Sequence, residues 1–168
     1  STLQVIFDKV RQKPKRLIFA EGEQESVIRA AIAYKEAGLG EPILIGRENI
    51  VKENMLQAGL GERDDLIVHN TSKSSRISDY TDFLYERLQR KGFLYRDVER
   101  MVMNDRNIFG ACMLQMGDAD AMITGVTRNY SVALEQVATV IDPLPDRSMI
   151  GLTMMVVRGR TVLVADTN

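Results

Sequence analysis

Short apolar runs alternating with helix-length segments constrain this chain more than any other feature. Arg16-Leu17-Ile18-Phe19-Ala20 is one such run, ending at Gly22, and residues 25–37 then place Val27, Ile28, Ala31 and Tyr34 on one helical face before Gly38 stops the helix. Pro42-Ile43-Leu44-Ile45 and Gly46 repeat the strand, residues 48–58 repeat the helix with Gly59 as its stop, and Leu66-Ile67-Val68-His69 is a third run. The repeating unit is strand then helix, which calls for a parallel sheet because consecutive strands need a crossover between them.

Residues 3–10 fit a short amphipathic helix stopped by Pro14. Residues 71–78 are a polar loop, and Ser78 or Asp79 is the expected cap of a helix carrying Tyr80, Phe83, Leu84 and Leu88 and ending at Gly92. Helices over 96–103 and 108–116 follow. Gly117 then introduces Ala121-Met122-Ile123-Thr124 as a fourth strand, bounded on its far side by Gly125. Residues 129–141 read as a helix capped by Asn129 or Ser131 and closed by Pro143 and Pro145. Residues 149–157 and 161–165, joined by Arg158-Gly159-Arg160, read instead as an antiparallel hairpin, which is marginal alone and is expected to pack on something. The expected fold class is α/β, a three-layer α/β/α arrangement around a mostly parallel sheet. Residues 1–145 form that domain, and residues 146–168 contribute the first hairpin of a second, incomplete one.

Length and composition agree with this. A chain of 168 residues, 45% apolar and 27% charged, suits one soluble domain plus a short extra piece. Its 22 basic and 23 acidic side chains leave a net charge of −1, so bulk charge favours neither nucleic acid nor an anionic membrane as partner. The single cysteine, Cys112, and single histidine, His69, lie 43 residues apart and make neither a disulfide scaffold nor a zinc cage. No run reaches the ~18 residues of a membrane span and the N-terminus has no signal-peptide core, so a cytoplasmic location is expected.

The segment around Gly125 is the most pointed. A strand ending at Thr124, a glycine that permits close backbone approach, and a helix starting near Asn129 bring free N–H groups and Arg128 toward one place, as an anion site requires. A tight turn beside a solvated arginine is the plainer reading. Ala20-Glu21-Gly22-Glu23, at the first strand's exit, is placed to present amides in the same way, although neither a dinucleotide fingerprint nor a P-loop occurs. Asp118 and Asp120 share a face as a metal pair would, or serve turn amides and caps, the more usual role; no metal site is assigned. Arg87, Arg90, Lys91, Arg96, Arg100 and Arg106, set against Glu86, Asp97, Glu99 and Asp105, are either a phosphate patch or a solvated face with pairs such as Glu86–Arg90. His69 and Cys112 read as core or rim positions rather than a catalytic pair.

From Phe109-Gly110-Ala111-Cys112-Met113-Leu114-Gln115-Met116-Gly117-Asp118-Ala119-Asp120-Ala121-Met122-Ile123-Thr124-Gly125 the sequence resembles the phosphate acetyl/butyryltransferase family. Arg16-Leu17-Ile18-Phe19-Ala20-Glu21-Gly22 is similar to that family's first strand and Ile43-Leu44-Ile45-Gly46 to its second, in the same order along essentially the whole chain. Within the family, Gly125-Val126-Thr127-Arg128-Asn129-Tyr130-Ser131 resembles the acetyltransferase-like C-terminal domain of bacterial multidomain NADP-dependent malic enzymes. True transferases usually carry a His-Ser/Thr-Thr-Ala-Asp type of segment there. They also carry an arginine where this chain has Glu135 and another near Leu88, for which Arg87 or Arg90 is the available substitute.

The resemblance implies a regulatory and oligomerisation domain, present as a fragment without catalytic residues of its own. The implied partners are acetyl-CoA or a related acyl-CoA as effector, an upstream malic enzyme catalytic domain, and further copies in a homo-oligomer; neither nucleic acid nor membrane is among them. NADP and a divalent metal, Mg or Mn, are implied for the parent enzyme, which would decarboxylate malate oxidatively to pyruvate, and no cofactor for the fragment. The expected ligand residues are Thr124, Gly125, Thr127, Arg128, Asn129 and Tyr130, with Arg87 and Arg90 as further basic candidates. A fragment of a genuine phosphate acetyltransferase, moving acetyl between coenzyme A and phosphate, is the alternative.

Overall fold

The computed structural model describes residues 2–157 and 159–166. Helix α1 (Thr2–Gln12) leads into strand β1 (Lys15–Phe19), followed by α2 (Glu25–Glu36), β2 (Gly40–Ile45), α3 (Glu48–Gln57) and β3 (Ile67–His69). Then come α4 (Ile77–Leu88), α5 (Tyr95–Asn104), α6 (Arg106–Gln115), β4 (Ala121–Ile123) and α7 (Tyr130–Val140), and finally β5 (Gly151–Val157) and β6 (Arg160–Asp166). Every strand–helix alternation read from the sequence is present, with boundaries displaced by a residue or two.

The first four strands form one parallel sheet in the order β3-β2-β1-β4. The chain runs outward from β1 to β3, then crosses back to lay β4 on the other side of β1. In open α/β sheets such a reversal opens a crevice at the carboxyl ends of the two strands flanking it, here β1 and β4.

Strand alternation divides the core in two. Ile18, Ile43 and Ile45 face one cluster with Tyr80, Leu84, Val98, Val102, Phe109 and Met113, from α4, α5 and α6. Phe19 and Leu44 face the other with Val27, Ile28, Ala31, Val51 and Met55, from α2 and α3. Helices therefore cover both sheet faces. Close approach of α6 depends on Gly110, where a Cβ would sit 2.5 Å from Met122 Sδ and 3.2 Å from Ile45 Cδ1. Tyr34 lies at the edge of the second cluster, its ring edge-on to Phe19 at 6.1 Å and its hydroxyl donating to the carbonyls of Lys15 and Leu39.

Two local expectations are corrected. α4 begins two or three residues earlier than its expected cap: Arg76 is the N-cap and makes no side-chain cap bond, because a guanidinium has no acceptor to offer the first amides, and it pairs instead with Asp79 and Asp118. Residues 71–73, expected as loop, form a 3-10 turn whose Asn70 side chain accepts from Ser72 N–H.

β5 and β6 pair antiparallel, as expected, and form a separate two-stranded sheet. Of their connection, Arg158 lies outside the described residues. The expected packing of this hairpin is not met among the described residues, where Leu152, Met154, Val162 and Val164 are all exposed.

Candidate functional site

The loop after β1 organises the carboxyl edge of the sheet. Ala20 N–H donates to Ile123 O at the end of β4, and Gly22 N–H donates to Ile45 O at the end of β2, so residues 20–24 lie across both strand exits. Gly22 is required there, since a Cβ would come within 2.8 Å of Ile45 O and 2.9 Å of Ile45 N. On either side of it, two glutamates point to opposite exits.

Glu21 is 7% exposed and turns toward β4. Its Oε2 accepts from Gly125 N–H at 3.0 Å and Val126 N–H at 2.5 Å, while Oε1 accepts from Thr127 N–H at 2.8 Å and from the Thr127 hydroxyl. Burial works to raise its pKa, but the Thr127 hydroxyl and the three amides outweigh burial and hold it below the ordinary carboxylate value. The sequence placed the converging amides at the start of the helix near Asn129; in the structure they are those of Gly125, Val126 and Thr127, and the anion they meet is one that the chain itself supplies.

Glu23, 8% exposed, turns toward β2. It accepts from Arg47 N–H at 2.9 Å and Arg47 Nε at 3.0 Å, and Arg106 Nη2 lies 2.8 Å from its other oxygen. Burial again opposes ionisation, yet the bonds from Arg47 and Arg106 prevail and bring the pKa down to about 2.

Beside Glu21 runs a chain of side-chain bonds. Thr124 Oγ1 donates to Asn107 Oδ1 at 2.5 Å, Asn107 Nδ2 donates to Gln136 Oε1 at 2.7 Å, and Gln136 donates to Asp105. Asp105 also caps α6 by accepting from the N–H groups of Asn107 and Ile108, and it receives Arg128 Nη1 at 3.4 Å. A cavity of about 210 Å³ opens here, lined by Glu21, Asn104, Arg106, Asn107, Thr127 and Arg128.

The expected ligand residues are therefore divided. Thr124, Gly125, Thr127 and Arg128 meet at this edge, with Asn129 exposed as the N-cap of α7 and Tyr130 74% exposed beside it. Arg87 does not join them. It pairs with both carboxylate oxygens of Asp142 and donates to Thr139 O, at the far end of an 11-residue helix roughly 16 Å long. Arg90 is exposed, and the Glu86–Arg90 pair offered by the solvated-face alternative is not formed among the described residues, where Arg90 sits past the end of α4 in a 3-10 turn. The sequence reading did not single out Glu21, Glu23, Arg47, Asn107 or Gln136 as site residues; the only signal was a pair of glutamates flanking a glycine at a strand exit.

Asp118 and Asp120 serve different arginines. Asp118 accepts from Arg76 and the Tyr80 hydroxyl, and Asp120 from the backbone and guanidinium of Arg16. Among the described residues no three His, Cys, Asp or Glu side chains are grouped to hold a metal, and no helix is long and apolar enough to cross a membrane. Cys112 is buried against the sheet, which pushes its thiol up to about 12. His69 is half-buried, and burial lowers its pKa.

The family model described as "Phosphate acetyl/butaryl transferase" matches residues 1–168. The chain belongs to this family. It is 52% identical over 168 residues to an NADP-dependent malic enzyme of Rhizobium meliloti (strain 1021), covering 99% of this chain and 22% of that protein. It is 40% identical over 166 residues to a probable NADP-dependent malic enzyme of Rickettsia prowazekii (strain Madrid E), covering 98% of this chain and again 22% of the relative. The chain thus spans about a fifth of the length of the curated relatives it matches. A crystal structure of a phosphotransacetylase from Streptococcus pyogenes superposes with a TM-score of 0.81 at 25% identity, covering 95% of this chain and 50% of that one. This places the parallel sheet and its helices in the phosphotransacetylase fold, with the hairpin attached.

Proposed function

We propose that this chain is the acetyl-CoA-responsive regulatory and oligomerisation part of a cytoplasmic NADP-dependent malic enzyme. Malate oxidation, NADP and the divalent metal belong to a catalytic domain upstream of it. The observation that carries this reading is the 52% identity, along nearly the whole chain, to a protein named as an NADP-dependent malic enzyme, against 25% to a phosphotransacetylase. The hairpin is proposed as the start of a second structural unit, with residues 1–145 as the first.

Site chemistry supports the same reading. A transferase must receive phosphate or an acyl phosphate, and the amides best placed to do so at the β4 exit are occupied by Glu21. Glu135 adds a negative charge on α7. The groups left to meet an effector are the exposed Arg128, Asn129 and Tyr130, with Thr124, Gly125 and Thr127 as the backing that fixes their positions. Recognition there needs only a charge-assisted bond and a shaped lip, not proton transfer.

The test is a transferase assay of the chain with acetyl phosphate and coenzyme A. No acetyl-CoA above the uncatalysed background is the expected result. Its formation would overturn the reading and favour a fragment of a phosphate acetyltransferase.

A further inference from the structure

Next to the Glu21 crevice, a second cavity of about 360 Å³ opens at the ends of β2 and β3, within the size range of small-molecule sites. Arg47, Asn70, Thr71, Ser72, Asn104 and Arg106 are among its lining residues, and Glu23 is its only carboxylate. Glu23 is committed: one buried carboxylate holds two guanidinium groups, Arg47 and Arg106. Two positive charges against one leave the lining with a net charge of about +1, which favours an anionic ligand.

The unspent hydrogen-bonding groups are mostly donors. Glu23 takes Arg47 through Nε and Nη2 and Arg106 through Nη2, so Nη1 of both arginines makes no bond among the described residues. Asn70 uses its oxygen on Ser72, leaving its Nδ2 without a partner among them, and the Asn104 amide is likewise unused there. α3 begins at Glu48, immediately after Arg47, with no side-chain cap on its first amides, and adds its positive end to the same edge. A cavity with this inventory recognises an acceptor-rich anion.

We infer that this cavity is a diphosphate-binding subsite in which Arg47 and Arg106 each take one phosphoryl group. Both guanidiniums turn Nη2 to Oε2 of Glu23 and each keeps its Nη1 unbonded among the described residues, so two linked phosphoryl groups offer an acceptor set to each arginine where a single phosphate offers one. Glu23 is a positioning residue that fixes both forks. The identity of the natural ligand, the diphosphate portion of an acyl-CoA, rests on the effector reading above; the subsite itself does not.

Calorimetric titration of the chain with inorganic pyrophosphate and with inorganic phosphate, at matched ionic strength, tests this. One pyrophosphate per chain is expected, at least tenfold tighter than phosphate. Arg47→Gln and Arg106→Gln each weaken it at least tenfold, while Arg63→Gln, whose guanidinium is held by Glu36 and Asp65 outside the cavity, leaves it unchanged. In the unsubstituted chain, pyrophosphate shifts the backbone amide resonances of residues 46–47, 70–72 and 104–106. Absence of saturable binding, equal affinity for phosphate, shifts elsewhere, or folded variants that bind as well as the parent chain would each overturn the subsite. In the longer protein, an acetyl-CoA response that survives both arginine substitutions overturns the acyl-CoA diphosphate as the ligand of this subsite and leaves the effector reading. Pyrophosphate binding without any acetyl-CoA response overturns the effector reading and leaves the subsite.

Discussion

Glu21 and Thr127 lie 106 positions apart, and both the amide and the hydroxyl of Thr127 donate to one oxygen of the Glu21 carboxylate. With Gly125 and Val126 on the other oxygen, the carboxylate staples the exit of β1 to the exit of β4 across the crevice where the strand order reverses. Glu21→Ala leaves three amides without an acceptor, and a loss of about 1–3 kcal/mol is expected from the desolvation of such groups. Glu21→Gln keeps one acceptor oxygen and loses less. Urea denaturation of the two variants checks the order; equal stability of all three proteins would remove the staple.

Gly22 separates the two glutamates. Its Cβ-less backbone rests on Ile45, where the nearest atoms are main-chain and do not yield as a flexible side chain does. Gly22→Ala is expected to destabilise the fold by about 1–3 kcal/mol through overpacking, and to loosen the Glu21 and Glu23 contacts together. Thermal unfolding measures the first effect, and slower-protected amides at 125–127 exchanging faster with deuterium would reveal the second.

Acid stability depends on Glu23. Its pKa falls from an ordinary 4.5 in the unfolded chain to about 2 in the folded protein, so its stabilisation is fully present above pH 4.5 and is lost as pH drops toward 2. A shift of that size corresponds to about 3 kcal/mol. Unfolding free energy of the native chain is therefore expected to fall more steeply between pH 4.5 and 2 than that of Glu23→Gln, whose acid limb is flatter because the neutral amide does not titrate. Parallel pH profiles would contradict the assignment.

Cys112 sits in the core beside Phe109 and Met113, with its thiol held up to about 12 by burial. The native chain is expected to resist a thiol-specific reagent at pH 8 and to react at once in denaturant, since only the thiolate attacks. Rapid modification of the native protein would show that the helix carrying it opens readily.

Much of this architecture was legible because it is written locally. Ile18, Ile43 and Ile45 on one sheet face and Phe19 and Leu44 on the other repeat every second residue, and Gly38, Gly59 and Gly92 end helices in left-handed geometry. The β4–Gly125 turn was legible for the same reason. Glu21 and Glu23 were not, because a glutamate at a strand exit carries no local mark of its partner, and those partners lie from 24 to 106 residues away. Arg87 misled in the opposite sense: local charge density marks a basic segment but not that Asp142 claims the guanidinium. Arg76 illustrates the same limit at a helix start, where its partner Asp118 lies 42 residues away and has no local mark.

Arg128 reaches Asp105 only at 3.4 Å and is exposed, so it is available to a ligand at little cost to the fold. Arg128→Ala in the longer protein is expected to raise the acetyl-CoA concentration giving half-maximal response at least tenfold, with the unfolding midpoint moving little. An unchanged response in a steady-state titration would take Arg128 out of the site.

Regulation by this chain, as proposed, is decided by malate oxidation with NADP and a divalent metal, titrated with acetyl-CoA, in the longer protein and in the same protein cut before Ser1. Acetyl-CoA is expected to inhibit the intact protein and to leave the cut one unaffected. An identical response from both would place the effector site elsewhere and contradict the assignment of regulation to this chain.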